Sequence, residues 1–283
     1  MPSSAGSRHV RLTLLAAWLL LVGAAPAAAQ GRVEEAAARA DRVVAEAFAR
    51  RYACAITGVV EISTSKGSMH ALKRRLHIAA KFMQGRLYTY AVFREPQYVR
   101  GMTFLGVESD DPRASEQQFV YLPSMKKIRR VSGSQPTDSF LGTDLSYHDF
   151  QRQRPDRYRS LGIRAATFGE ERVLRVRMEP RFDAPYSIVE YVIAASDRAI
   201  LATDYFKRGS ERAYRRMSMP RARIVSGERC AVPTIIRVED DQRGTRTELV
   251  ISELRTDAPL DDALFTTAAL ETRRDVPGIL DRR

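Results

Sequence analysis

From Tyr52 onward, apolar residues recur at every second position in one segment after another. That alternation constrains the fold more than any other feature of the chain, because a period of two belongs to half-buried β-strands. Ile56, Val60 and Ile62 alternate with Thr57 and Glu61 up to the turn signal Ser65-Lys66-Gly67. Similar segments lie near residues 69–82, 87–93, 98–107, 119–122, 127–131, 172–179, 186–194, 198–207, 212–225, 231–239 and 245–254. Short turns between them predict an antiparallel meander of about eleven strands. A twisted sheet of that size must curl, close or split.

Several strands are apolar on both faces. Leu249 and Ile251 oppose Val250 and Leu254; Val232, Ile236 and Val238 oppose Ile235. A sheet covered on one side would alternate more cleanly. Two arrangements satisfy the pattern: a sandwich packed on both sides, or a barrel wall around an apolar cavity. Periodicity does not choose between them, and on frequency alone the sandwich is favoured.

One segment ahead of the strands has helical period. Val33, Ala36, Ala37, Ala40, Val44, Ala47 and Phe48 recur at three- and four-residue steps within 32–51. This amphipathic helix needs a surface to cover. Residues 132–156 break the alternation with Gly133, Pro136, Gly142 and Pro155, and a short helix is predicted near Tyr147–Gln151. No shift in composition divides the rest, so residues 30–283 read as a single domain.

The first 29 residues read as a signal peptide. Arg8 and Arg11 precede an apolar run from Val10 to Val22, and Ala27-Ala28-Ala29 supplies the small-residue cleavage pattern. The run is short of the roughly 20 apolar residues a spanning helix needs. Cleavage near Ala29 removes the only tryptophan, Trp18, and two of the twelve net positive charges. The alanine-rich leader and the preference for Arg over Lys fit a bacterial chain of high genomic GC content, which makes the compartment the periplasm. An exported basic protein meets lipid headgroups or acidic partners sooner than nucleic acid. Two cysteines cannot build a disulfide scaffold. Cys54 and Cys230 either pair with each other or lie apart as buried thiols, and their spacing leaves both open.

Catalytic patterns are sparse, and no zinc helix, nucleophile elbow or phosphate loop is present. His70 and His77 fall on opposite faces of one strand, which argues against a shared metal. His148 lies within Asp144-Leu145-Ser146-Tyr147-His148-Asp149. A carboxylate-tuned base is one reading, and helix capping by Ser146 or Asp144 is the favoured one. The Glu108–Asp111 segment reads as a solvated acidic loop. Lys126, Lys127, Arg129 and Arg130 form the densest charge cluster. It is either a solvated strand edge or a contact for lipid headgroups or an acidic partner.

The middle of the chain carries a resemblance. Gly101-Met102-Thr103-Phe104-Leu105 is followed by Tyr121-Leu122-Pro123-Ser124-Met125-Lys126-Lys127-Ile128-Arg129-Arg130. Then comes Asp138-Ser139-Phe140-Leu141-Gly142-Thr143-Asp144, running on through Tyr147 to Phe150. Val232-Pro233-Thr234 and Leu260–Phe265 fit the same pattern. Together these resemble the outer membrane lipoprotein-sorting protein family of the LolA/LolB-like superfamily. The resemblance implies a mainly β chain with a helical lid, an incomplete antiparallel β-barrel enclosing an apolar cavity. It implies a periplasmic carrier of lipid or lipoprotein acyl chains, without catalysis or cofactor, touching membranes transiently and working with an RND/MMPL-type exporter. The expected cavity residues are Met102, Phe104, Tyr121, Leu174, Val176, Met178, Val189, Tyr191 and Leu249; the expected lid residues are Val44, Phe48, Phe140 and Leu141. Two rivals are an exporter scaffold that binds protein only and a secreted hydrolase using His148.

Overall fold

The computed structural model describes residues 25–67, 72–108, 117–131, 140, 143–150 and 154–279. The order is α1 (Ala25–Tyr52), β1 (Ile56–Lys66), β2 (Leu72–Met83), β3 (Arg86–Glu95), β4 (Thr103–Val107), β5 (Gln117–Leu122) and β6 (Lys127–Val131). After the irregular insert come β7 (Tyr158–Phe168), β8 (Glu171–Pro180), β9 (Ile188–Ala194), β10 (Ile200–Phe206) and β11 (Arg215–Ser218). The chain finishes with β12 (Ile224–Ser226), β13 (Ala231–Pro233), β14 (Ile235–Asp240), β15 (Thr245–Thr256) and α2 (Thr267–Thr272). Expected cleavage near Ala29, the His70 position and the lid residue Leu141 fall outside the described residues or their described side chains.

Thirteen strands form one antiparallel sheet in the order β6-β5-β4-β3-β2-β1-β15-β14-β11-β10-β9-β8-β7. Among the described residues it is an open sheet with free edges at β6 and β7, so neither a two-sheet sandwich nor a closed barrel forms. β12 and β13 make a separate hairpin. Two pairings break the meander among the described residues: β14 pairs with β11 across the β12–β13 hairpin, and β15 returns to β1, with Ile62 opposite Leu249. The second is the long-range one. That pairing joins two arms, β1–β6 and β7–β11.

Several predicted boundaries move for local reasons. The predicted strand 98–107 starts only at Thr103, because Pro96 and Gly101 reverse the chain in a tight turn. The predicted strand 212–225 ends at Ser218, before Pro220. β7 has no counterpart in the prediction. Its burial alternates poorly along Tyr158–Phe168, as suits an edge strand.

The two-faced strands have two different explanations. The inner face, toward α1, carries the main core: Val44 and Phe48 pack with Val60, Ile62, Phe93, Val176, Met178 and Tyr191. On the outer face of β1–β5, Val59, Ala79, Tyr90 and Leu105 pack under the C-terminal segment, with Leu264, Phe265, Leu270 and Val276. Tyr90 Oη donates to the Arg274 carbonyl at 2.8 Å and fixes that segment. On the outer face of β7–β11 the covering is part apolar and part ionic: Val173, Val192, Ala194 and Leu201 pack with Ala231 of the β12–β13 hairpin, and ion pairs lie beside them. Arg175 pairs with Glu190 at 2.6 Å, and Arg216 pairs with Asp204 at 2.5 Å.

Candidate functional site

A cavity of about 160 Å³, partly open to solvent, lies on the inner face of the first arm. Its floor is set by strand register. Ile78, Ala91 and Phe104 stand side by side across β2, β3 and β4, and Ala80, Thr89 and Gly106 form the next row. The second row is built from small residues, so space remains above it. Gly106 needs its lack of a side chain: a Cβ there would press on the Phe104 ring at 3.2 Å. Val60, Ile62, Leu249 and Ile251 continue the wall across β1 and β15. Tyr52 at the end of α1, Phe140 of the insert, and Val232 with Pro233 on β13 supply the sides. Such a mainly apolar wall, with Arg51, Thr89, Glu108 and Gln118 as its polar members, holds apolar matter. Apolar cavities of about 150 Å³ stay dry and admit benzene-sized molecules, so this one accepts a stretch of alkyl chain.

A disulfide between Cys54 and Cys230 stands beside this rim. Cys54 follows Tyr52 and Cys230 precedes Val232, so the bond ties two cavity walls together. Of the polar side chains at the cavity, Glu108 is buried and accepts from the Leu87 N–H at 3.2 Å. It is therefore a fixed structural acid, where the sequence suggested a solvated loop.

The expected wall is only partly the observed one. Phe104 and Leu249 line the cavity. Leu174, Val176, Met178, Val189 and Tyr191 share the inner face but lie in the second arm, where α1 fills the space. Phe48 meets the Tyr191 ring edge-on at 5.5 Å. Met102 packs at the margin of that core, and Tyr121 faces outward onto the C-terminal segment. Val44 and Phe48 are buried core residues that plug the second arm, whereas Phe140 lines the cavity and packs on Phe93 and Phe104. The missed wall residues, Ile78, Ala80, Ala91 and Gly106, carry one legible signal: small residues at matching places in neighbouring strands. It becomes visible only once the register is fixed.

The insert is anchored beneath its own short helix by a buried polar network. Asp149 accepts from the Ser146 N–H at 2.7 Å, from Tyr205 Oη at 3.0 Å and from Arg215 Nη2 at 2.5 Å. Burial opposes the Asp149 charge, yet the Arg215 guanidinium prevails and holds the carboxyl below the usual carboxylate range. Asp144 accepts from Thr245 and Thr247 of β15. His148 Nε2 lies 3.1 Å from Tyr186 Oη and 3.3 Å from Tyr158 Oη. Burial pushes the Tyr158 hydroxyl up to about 12. The capping expected of Ser146 or Asp144 is reversed: Asp149 caps Ser146, and Asp144 binds the sheet. Arg215 offered no sequence signal for this role. Both carboxylates of the imagined hydrolase are thereby spent on holding the insert. Among the described residues, no group of three or more His, Cys, Asp or Glu residues is placed to hold a metal ion.

Lys126, Lys127, Arg129 and Arg130 are all exposed at the free β6 edge and make no ion pair among the described residues. Lys126 sits in the preceding turn with φ 48°. Pairing of β5 with β6 splits the others: Arg129 opposes inner-face Val120, whereas Arg130 opposes outer-face Phe119.

Residues 85–272 match a family model described as "-like: Uncharacterized protein". No curated protein matches the chain. Three solved structures share its fold. A DUF1329 family protein from Desulfovibrio piger has 23% identity and a TM-score of 0.73 over 83% of this chain and 99% of that one. A putative outer membrane lipoprotein-sorting protein domain from Vibrio parahaemolyticus has 18% identity and a TM-score of 0.75 over the same shares. A LolA superfamily protein from Nitrosomonas europaea has 18% identity and a TM-score of 0.61 over 81% and 98%.

Proposed function

The chain belongs to the family whose model spans residues 85–272, and from its LolA-type fold we propose that it is a periplasmic carrier of lipid or lipoprotein acyl chains. The observation that carries this reading is the apolar cavity in the first arm, floored by small residues and walled by Phe104, Leu249 and Ile251. Alkyl chains leave water at a gain of about 0.8 kcal/mol per buried CH₂. A partly open cavity can take up part of a chain and still release it. The signal-peptide pattern of the first 29 residues and the disulfide both suit an oxidising compartment outside the cytoplasm. The cargo would be exchanged at a membrane, with an RND/MMPL-type exporter as the partner that the sequence resemblance implies. The side chains work here by shape and exclusion of water, and no catalytic step is required of them.

Lipid extraction and native mass spectrometry of the exported protein test the reading. The expected result is co-purified lipid or uptake of an added alkyl amphiphile. Leu249→Glu, which places a charge in the cavity wall, should abolish uptake while the disulfide still forms. A protein that takes up neither lipid nor amphiphile would exclude the carrier function.

A further inference from the structure

The inner-face row that floors the cavity does not end at the cavity. Ile78, Ala91 and Phe104 lead by register to Val120 on β5 and then to Arg129 on β6, the last strand of the sheet. The first three line the cavity, and Val120 packs on the same inner core. One step along β6, Lys127 opposes Leu122 and shares the inner face with Arg129. Four inter-strand steps of about 4.8 Å separate Ile78 from Arg129, roughly 19 Å in all. An apolar track of that length thus finishes in two exposed cations with no acidic partner among the described residues.

Resting on the carrier reading, we infer that Arg129 and Lys127 bind the headgroup of the cargo, and that the cargo is a single-chain amphiphile with an anionic head. The head meets the guanidinium and ammonium at the β6 edge, and the chain lies along the row into the cavity. Arg offers a bidentate fork to phosphate or carboxylate, and Lys adds a point charge. The one acid on the cavity wall, Glu108, stands four residues along β4 from Phe104, about 13 Å away. Its carboxylate is occupied by the Leu87 N–H. The cation that lines the cavity itself, Arg51, sits at the end of α1 over the Tyr52 ring at 5.6 Å. Lys126 and Arg130 belong to the turn and to the outer face, which gives an internal control of equal charge.

Calorimetric titration of the exported protein below the critical micelle concentration tests this, with dodecyl phosphate, dodecyl maltoside and inorganic phosphate as probes. Dodecyl phosphate should bind about tenfold tighter than dodecyl maltoside, the scale of two solvent-facing charge contacts. Lys127→Glu with Arg129→Glu should erase that preference and leave dodecyl maltoside binding intact, which also reports a folded cavity. Lys126→Glu with Arg130→Glu should preserve it. Equal loss in both double variants would reduce the effect to net charge and overturn the inference. So would loss confined to Arg51→Gln, which puts the head at the other end. Inorganic phosphate binding as tightly as dodecyl phosphate would overturn it in favour of a free-anion site. Equal binding of both amphiphiles overturns it and leaves the carrier standing. Binding of neither amphiphile removes the carrier reading along with it.

Discussion

The two arms of the sheet solve the same problem in opposite ways. In β7–β11 the inner face is filled by α1, and the outer face is closed partly by Val173, Val192 and Leu201 under the β12–β13 hairpin and partly by ion pairs between Arg175, Glu190, Asp204 and Arg216. In β1–β6 the outer face carries the apolar packing, under Leu264, Phe265 and Leu270, and the inner face is left with space. The difference teaches where a sheet can leave room for a ligand. An unfilled face forfeits dispersion and burial, and the first arm recovers both on its other side. The second arm, with a filled inner face, tolerates ion pairs over part of its outer one. Binding and folding are thereby separated: a ligand in the cavity adds to an arm that is already held.

The largest expected effect comes from the seam between the arms. Cys54→Ala with Cys230→Ala opens a covalent loop of sequence separation 176. The loop-entropy estimate for that length is about 5 kcal/mol. Denaturant melts of the double variant should show a loss of that order, and an unchanged midpoint would show that the seam holds without its bond.

Next comes the insert. Arg215→Ala strands the buried Asp149 carboxylate, and loss of one partner of a buried pair costs about 3 to 5 kcal/mol. Its pH dependence has a definite sign. A carboxyl held below its unfolded value near 3.9 stabilises the fold above that pH. The contribution is lost as pH falls through the folded value. Stability of the parent should therefore drop on acidification below about pH 4 more steeply than that of Arg215→Ala.

The contrast between the outer faces predicts unequal responses. Leu270→Ala, which hollows the apolar cover of the first arm, should cost about 3 kcal/mol. Arg164→Ala removes a pairing 3.6 Å from Glu190 on the second arm, from a side chain that is 60% exposed. It should cost less than about 1 kcal/mol and fade with salt. Similar losses at both sites would erase the distinction between the arms. Between these two falls Tyr90→Phe, which gives up the hydroxyl holding the C-terminal segment and should cost about 1 kcal/mol.

Much of this architecture is legible in the order of residues. Period-two segments marked nearly every strand, but the double-faced pattern has a cavity behind Leu249, and Val250 on the opposite face is only half-buried. What covers each face was not legible, because that depends on contacts far apart in the chain. Val176 and Phe104 look alike in sequence, and only the docking of α1 makes one a core residue and the other a cavity wall. β7 escaped because an edge strand needs no clean alternation. Arg215 looked like one basic strand residue among many until the insert brought Asp149 to it.

The bond between Cys54 and Cys230 has one more consequence, for how the molecule breaks. The loop it closes contains β1 through β12, the whole insert and the turns before β6. A protease that cuts once anywhere within that stretch makes two chains but not two molecules. The halves stay in one piece of unchanged mass apart from a water, and separate only when a reductant opens the link. In a compartment rich in proteases, a nicked copy would keep its arms together and its cavity in register.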